Sequence, residues 1–521
     1  MALPTAHRGF SSLVQTHGLL RSNIARFRQS RLSGYRWLHC NLALREEQKS
    51  SSEKKQEGSA SPTIKESGEK QAQSGYETDT SNVSLPPGWE DNPDWNITTF
   101  SQLPHRTFGY NQHMRINEEF KEALRQILWE FKAPIRYAFA YGSGVFSQSA
   151  SPSSSALSPH PHPPEAIVKW QKGGGKMIDF IFGVSYTQHW HSLNLHQHRD
   201  HYSFLGSLGS GLVTRVQDNW GAGVYFNPYI TVNGTLIKYG VVNLDTLRND
   251  LSTWDTLYLA GRLQKPVKIL RDDPKVRLAN QINLISAVRT ALLMLPEKFT
   301  ERDLYAAITG ISYQGDPRMR FGSENPRKVA NIVDNQMANF RQLYSPLIED
   351  LPNVTFTDPK CRSPDWLLDP DANCKLTQDM SPQKRGNMVR RLPSSFRSKL
   401  YFLYQRKFGI PGREYNRMLE ASKDEDAQSF KRREGGEFDR RIAGESDLKD
   451  MVSKAIYQTV WWPSMSQTVK SALTAGVSRS WRYWSEKRNK NRAGGTEIEE
   501  EKSTAKATMQ KGEAKGSAKD K

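Results

Sequence analysis

Lys176-Met177-Ile178-Asp179-Phe180-Ile181-Phe182-Gly183-Val184 is an apolar run with a single carboxylate, and upstream of it lies Tyr141-Gly142-Ser143-Gly144-Val145. The run has the length and composition of a buried strand. An Asp179 placed there needs a partner, because an unpaired buried charge costs several kcal/mol or more. The Gly-Ser turn follows the alternating, strand-like Ile135–Tyr141 and can open a helix, presenting backbone N–H groups to a phosphate. A metal ion holding a nucleoside triphosphate would satisfy Asp179. Together the two pieces predict a nucleotidyl-transferring domain in which Gly142, Ser143 and Gly144 hold the triphosphate. Asp179 would then ligate Mg²⁺, which polarises the α-phosphate and neutralises the leaving pyrophosphate.

One feature departs from the usual pattern for this chemistry, in which two carboxylates two residues apart share a strand face. The same-face neighbours of Asp179 are Met177 and Ile181, so a further ligand has to come from elsewhere: Asp200, Asp245, Asp255 or Glu165. The bland alternative is a structural Lys or Arg that satisfies Asp179. Lys238 is a second charge in an otherwise apolar strand, Leu236–Asn243, and is a candidate triphosphate contact. Arg262 and Lys265 sit on the turn Ala260-Gly261-Arg262-Leu263-Gln264-Lys265-Pro266, where cations can reach a ligand; ordinary surface charge is the alternative. His189, His191, His196, His198 and His201 crowd a polar segment, but the carboxylates of a metallohydrolase are missing around them. Phosphate contact or orientation of other groups suits one or two of these histidines better than catalytic zinc.

Outward from this centre the chain reads as α+β. Ile116–Phe131 has apolar residues at helical spacing and precedes the first strand. Trp254–Ala260 starts a short helix. From Pro274 the pattern becomes helical: Val276–Leu295, a helix capped by Thr300 with Glu301 and Asp303 in its first turn, Arg327–Tyr344, and Leu392–Phe408. The expected organisation is a nucleotidyltransferase-type mixed-sheet domain at 86–270, with an inserted Ser/Pro-rich loop at 147–175. A helical, winged-helix-like domain follows at 271–420, with a loop insertion at 351–390. Residues 46–85 and 486–521 have the composition of disorder, as linker and tail.

The 521 residues carry a formal net charge of +18, which implies an anionic partner without choosing one. Three cysteines form no zinc or redox pattern. Residues 1–45 hold seven arginines, several serines and no acidic residue, as a mitochondrial presequence requires. No stretch reaches about 18 uninterrupted apolar residues, so no transmembrane span is expected. Met451–Trp484 carries an apolar stripe at intervals of three to four, interrupted by Pro463, with Trp461, Trp462, Trp481 and Trp484 as interfacial aromatics. Lys470, Arg479 and Arg482 add positive charge. The segment 451–485 is expected to lie on a membrane surface as an amphipathic helix, separable from the catalytic body; packing on the protein's own core is the alternative.

In their order along the chain, these pieces resemble the mitochondrial phosphatidate cytidylyltransferases, also called translocator assembly and maintenance proteins. The matching residues are Tyr141–Phe146, the Met177–Val184 strand with Asp179, Trp190-His191-Ser192-Leu193-Asn194, and His201-Tyr202-Ser203-Phe204. They continue through Lys238-Tyr239-Gly240-Val241, Tyr258–Leu263 with Lys265-Pro266-Val267, Ser312-Tyr313 and Gly315-Asp316-Pro317-Arg318-Met319. The resemblance implies a nucleotidyltransferase domain followed by a winged-helix-like domain, peripheral on the matrix side of the mitochondrial inner membrane. It implies a Mg²⁺-dependent reaction of CTP with phosphatidic acid that yields CDP-diacylglycerol and pyrophosphate on the route to cardiolipin, with no nucleic acid as partner. Asp179 and Ser143 become the catalytic candidates; His191, Asn194, His201, Tyr202, Arg262 and Lys265 become candidate substrate contacts. The rivals are an enzyme of the same fold acting on RNA or protein, and a non-catalytic matrix factor supporting an inner-membrane import complex.

Overall fold

The strand around Asp179 is the centre of a five-stranded mixed sheet. The computed structural model describes residues 97–146, 177–321, 324–422 and 434–476. The expected presequence (1–45), linker (46–85), inserted loop (147–175), tail (486–521) and the residues Trp481 and Trp484 lie outside the described residues. The first element is helix α1 (Glu118–Trp129), whose N-terminus is capped by the Asn117 side chain accepting from Phe120 N. Strand β1 (Tyr137–Tyr141) follows, then β2 (Ile178–Val184), helices α2 (Thr187–Gln197) and α3 (Ser210–Asn219), β3 (Val224–Val232) and β4 (Thr235–Asn243). Helices α4 (Leu244–Thr253) and α5 (Ala260–Leu263) lead to β5 (Lys268–Arg271). The strand order is β3-β4-β2-β1-β5; β2 and β4 run parallel and the other pairs antiparallel.

Side-chain alternation divides the sheet into two faces with different cores. One face, with Ala138, Phe180, Phe182, Tyr239 and Val241, packs on α1 and on Trp190 of α2. The other face carries Tyr137, Phe139, Ile181, Val224 and Phe226, and it joins a larger core with the helices that follow. Those helices begin with α6 (Pro274–Met294), started by Asp273 accepting from Lys275 N and Val276 N, and buried nearly all round. Helix α7 (Glu301–Ile311) is capped reciprocally by Thr300 and Asp303, as the sequence predicts. Next come α8 (Pro317–Arg320), α9 (Lys328–Asp334) and α10 (Met337–Glu349).

Four expectations are revised. Arg327–Tyr344 is two helices, α9 and α10, because the chain turns at Asn335 and Gln336. The helix expected at Trp254 ends there instead: Trp254 adopts φ 57° as the left-handed cap of α4. Residues 351–390 contain strands β7 (Val354–Phe356) and β8 (Lys375–Gln378) and helix α11 (Pro382–Arg390); with β6 (Lys298–Thr300) the strands form a small antiparallel sheet, order β6-β8-β7. Strand β3 escapes a pattern reading because Pro228 interrupts it and Tyr229 sits at φ 55°, where the ladder with β4 shifts register.

The fourth revision concerns the C-terminal part. After α12 (Ser394–Phe408), α13 (Gly412–Ser422) and α14 (Glu437–Ala443), helix α15 (Leu448–Ala475) runs 28 residues and packs into the main core. Val452, Ile456 and Val460 are at most 2% exposed, and each such burial contributes about 1.5–3 kcal/mol. Further along, α15 covers the edge strand β3: Gln467 Nε2 donates to Val224 O at 3.0 Å and Thr474 Oγ1 to Phe226 O at 3.3 Å. Lys470 is fully buried, donating to Gln217 O at 3.1 Å and Trp220 O at 2.5 Å, so it is not a lipid-facing cation. The inner face of α15 belongs to the body of the protein and is not a separable membrane anchor. Deletion from Met451 onward is therefore expected to abolish soluble, cooperatively folding protein; a truncated chain with an unchanged melting temperature would contradict this packing.

The loop between β7 and β8 is held by one buried ion pair. Glu301 accepts from Arg341 Nε (3.0 Å), Tyr305 Oη (3.1 Å), Trp366 Nε1 (3.2 Å) and Cys374 N (2.9 Å). Arg341 also donates to the carbonyls of Trp366, Asp369 and Ala372. Removing one member of a fully satisfied buried pair leaves the other charge stranded. Arg341→Met is expected to cost about 3–5 kcal/mol, read as a fall in the urea midpoint at unchanged slope.

Candidate functional site

Asp179 lies on the face of β2 that looks toward the helical half. Its register partners are Tyr141 on antiparallel β1 and Lys238 on parallel β4. Lys238 Nζ stands 3.6 Å from Asp179 Oδ1, with the two side chains 15% and 27% exposed. The structural cation that the sequence leaves open as a partner for Asp179 is thus one of the candidate ligand contacts. The Lys238 ammonium also lies 4.5 Å from the centre of the Phe226 ring, and that ring covers Gly240, where a Cβ would come within 2.6 Å of it. The two charges sit beside apolar neighbours and keep part of their surface in solvent.

The Gly-Ser segment meets this pair. Gly142 has φ +82°, and a Cβ there would lie 3.4 Å from Asp179 Oδ2. Gly144 passes so close to β2 that a Cβ would be 2.9 Å from Met177 O. Val145 N and Phe146 N both donate to Gly142 O, closing a turn over residues 142–146. The structure thus brings Gly142 beside Asp179 and Gly144 against β2, and both glycines are needed for a physical reason, one for its dihedral and one for close approach.

Tyr141 connects this centre to α5. Arg262 Nε donates to Tyr141 Oη at 3.3 Å, and its guanidinium stacks 3.9 Å above the Tyr258 ring. Lys265 donates to Gly261 O and, at 2.8 Å, to Ser312 Oγ. Burial, with Arg262 and Lys328 nearby, pulls its amine down to about 7. The matching segments at 258–267 and 312–319 thus meet in space: a Cβ on Gly261 would lie 2.4 Å from Ser312 Cβ.

His191, Asn194, His201 and Tyr202 are brought together elsewhere, behind the opposite face of the sheet. His191 bonds Tyr202 Oη (2.8 Å) and Gln217 Oε1 (2.7 Å). Asn194 donates to Tyr202 Oη and Tyr239 Oη, and His201 bonds Tyr239 Oη at 2.9 Å. Tyr239 adjoins Lys238 in β4, so alternation separates this network from Asp179. All four side chains are buried and hydrogen-bonded to protein.

Of the candidate further ligands, Asp245 pairs with Arg248 on α4, Asp255 accepts from Asn249 and Ser395, and Asp200 lies with the histidines; Glu165 is outside the described residues. Ligand atoms of His198, Asp200 and His201 lie within 4.8 Å of one another. The rings of His198 and His201 stack in parallel, 4.4 Å apart, which sends their in-plane lone pairs side by side instead of toward one point. Among the described residues no group of three potential ligands surrounds Asp179.

An α+β body whose mixed sheet sets one carboxylate against a lysine and a glycine turn is the class that the fold and site define. Sequence comparison makes the assignment specific. A family described as "Phosphatidate cytidylyltransferase, mitochondrial" matches residues 124–490, and the chain belongs to that family. Relatives bearing that name include the Schizosaccharomyces pombe protein, 36% identical over 373 residues (72% of this chain, 84% of the relative). The Xenopus laevis protein is 38% identical over 365 residues (70% and 92%), and that of Saccharomyces cerevisiae 42% over 273 (51% and 66%).

Burial holds the His191 imidazole down at about 4, so it is neutral in the folded protein. The unfolded chain takes up that proton near the ordinary histidine value of 6.5. The resulting stability is complete above about pH 6.5 and is lost as pH falls toward 4. The melting temperature is expected to drop across this window, with a shallower drop in His191→Gln. Parallel pH profiles for the two proteins would exclude His191 as the source.

Proposed function

We propose that this protein is a Mg²⁺-dependent phosphatidate cytidylyltransferase, making CDP-diacylglycerol and pyrophosphate from CTP and phosphatidic acid. We place it in mitochondria, peripheral on the matrix side of the inner membrane, on the route to cardiolipin. The observation that carries the reading is the meeting of Asp179, Lys238 and the Gly142–Gly144 turn inside the span matched by the family. In this reading the five-stranded sheet is a nucleotidyltransferase-type domain, the 271–420 region is winged-helix-like, and residues 1–45 are a presequence.

Asp179 fits Mg²⁺ as a single-carboxylate holder: it is partly exposed, its Oδ2 faces the side-chain-free Gly142, and substrate phosphates commonly complete such a shell. When bound, the ion would supply Lewis-acid polarisation of the α-phosphate and charge neutralisation of pyrophosphate. The chain's own residues bind and orient. Lys238 and the backbone of the Gly142–Gly144 turn take the triphosphate, with Ser143 at the apex. A phosphatidate oxygen attacks the α-phosphorus in line; the new P–O bond forms as the bond to the bridging oxygen breaks and pyrophosphate leaves. No strong general base is needed, because the attacking phosphomonoester is already largely ionised near pH 7.

A lipid surface is the partner that best accounts for the outside of α15. Trp462 is 71% exposed, Val469 and Leu473 project beyond it, and Phe321, Trp220 and Phe204 are exposed on the adjoining segments. Trp461 instead stacks on Tyr457, 5.5 Å away, at the border of this surface. Such a rim of aromatic and aliphatic groups suits shallow insertion between headgroups.

Incubation with CTP, Mg²⁺ and phosphatidate-containing vesicles is expected to yield CDP-diacylglycerol, and Asp179→Asn to lower the rate at least about 100-fold in protein that still folds cooperatively. Equal rates for Asp179→Asn and wild type would leave a non-catalytic role as the better account. Trp462→Glu with Val469→Glu is expected to weaken sedimentation with anionic vesicles while sparing turnover of detergent-dispersed substrate. Undiminished sedimentation would remove α15 from the membrane surface.

A further inference from the structure

Arg262 and Lys265 are two neighbouring, half-buried cations without a carboxylate of their own. Among the described residues Arg262 bonds only the oxygens of Tyr141 and Tyr258, and Lys265 only those of Gly261 and Ser312. Asp316, whose field reaches Lys265, is held by Arg318 through Nη2–Oδ2 at 2.6 Å and Nε–Oδ1 at 3.0 Å. Crowding two basic groups away from full solvation draws the Lys265 amine down toward neutrality, and an anion between them would hold it protonated.

The position of the pair selects among the anions the proposed reaction offers. On one side Arg262 touches Tyr141, the register partner of Asp179 and the residue before Gly142. On the other side Lys265 is held by Ser312, at the head of the segment that leads to α15. Gly315 in that segment packs so closely on α15 that a Cβ would be 2.8 Å from Val460 Cβ and 3.2 Å from Trp461 N. Arg320 Nη1 donates to Tyr457 Oη at 3.1 Å, and the Phe321 ring lies 6.3 Å from that of Trp461. Phe321 and Trp462 are the two most exposed aromatic side chains of this neighbourhood, at 69% and 71%. The pair therefore lies between the reacting centre and the apolar rim. In the proposed reaction the nucleotide's phosphates take Lys238 and the glycine turn, which meet Asp179 directly.

We propose that Arg262 and Lys265 form the acceptor subsite, binding the phosphomonoester headgroup of the lipid substrate while Lys238 and the Gly142–Gly144 turn serve the nucleotide. A dianionic phosphomonoester matches two cations in charge, and the Arg262 fork can bridge two of its oxygens. The acyl chains would run from this subsite past Phe321 toward Trp462 and the bilayer. The inference rests on the cytidylyltransferase reading, which the assay of the wild-type protein judges separately.

The test is a split of Michaelis constants, using full-length protein, dioleoyl phosphatidate in detergent micelles, CTP and Mg²⁺. Arg262→Gln and Lys265→Gln are each expected to raise the KM for phosphatidate at least tenfold and to leave the KM for CTP within twofold. Lys265→Arg is expected to recover most of the affinity. A rise in the CTP constant with phosphatidate unaffected would assign the pair to the triphosphate and overturn the proposal, as would no change in either. Sedimentation with vesicles of phosphatidate or of phosphatidylglycerol supplies a readout independent of turnover. Wild type is expected to prefer the monoester headgroup, and Lys265→Gln to lose that preference while still binding both vesicles. Absence of the preference in wild type would overturn the subsite even if the enzyme is active. Preference without any CDP-diacylglycerol formation would retain the subsite and sink the reaction. If a glutamine variant fails to fold, Ser312→Ala, which frees the Lys265 ammonium from one anchor, is expected to raise the phosphatidate constant alone. An unchanged constant for Ser312→Ala would count against the assignment.

Discussion

The pairing of Asp179 with Lys238 across parallel β2 and β4 is the constraint around which the rest of the structure is arranged. Two opposite charges 3.6 Å apart can sit on interior strands of an apolar sheet because each compensates the other. Their neighbours in the same strands (Ile181, Gly240, Val242) turn inward and join the main core. The pair is stable without ligand, yet both side chains keep part of their surface in solvent.

Around that pair the two faces of the sheet do different work. The face behind it is closed by α1, α2 and a hydrogen-bonded set of buried polar side chains centred on Tyr239. Asn194, His201 and Tyr202 meet through the hydroxyls of Tyr202 and Tyr239, which ties α2, the segment after it and β4 together. The face in front opens on the helical half, and it is there that α5, the 312–320 segment and α15 converge. Helix α15 seals the free edge of β3 with side-chain hydrogen bonds and turns its other side outward. Covering an edge strand protects the sheet from adventitious pairing, and the other side of the cover leaves Trp462, Val469 and Leu473 exposed.

Much of this was legible from the chain. An aspartate in the apolar run 177–184 and a lysine in 236–243 are both anomalies, and the structure pairs the two. The glycine turn was legible for the same reason: residues that accept positive φ or close backbone approach cannot be exchanged freely. The histidine-rich block 189–201 was harder to place. A helix of eleven residues with no clear apolar periodicity shows only that it is polar, and the burial of His191 and Asn194 depends on partners (Gln217, Tyr239) supplied by other elements. Helix α15 was visible as an amphipathic segment, but an apolar stripe looks the same whether it meets lipid or the protein's own core.

The sequence by itself determined the α+β class, the strands β1, β2 and β4, several of the helices, the charges that could not be bland, and membership of a family. These rest on short-range regularities, periods of two and of 3.6, capping residues and glycine positions, which are written locally. Only the tertiary structure decided that Asp179 and Lys238 are register partners, that the 191–202 network lies behind the sheet, and that Lys470 is a buried anchor. It likewise decided that Arg262 meets Tyr141, the register partner of Asp179, and that Lys265 meets Ser312. Each of those facts depends on which distant segments pack together, a choice made by closing long loops around a shared core, and no local period records it.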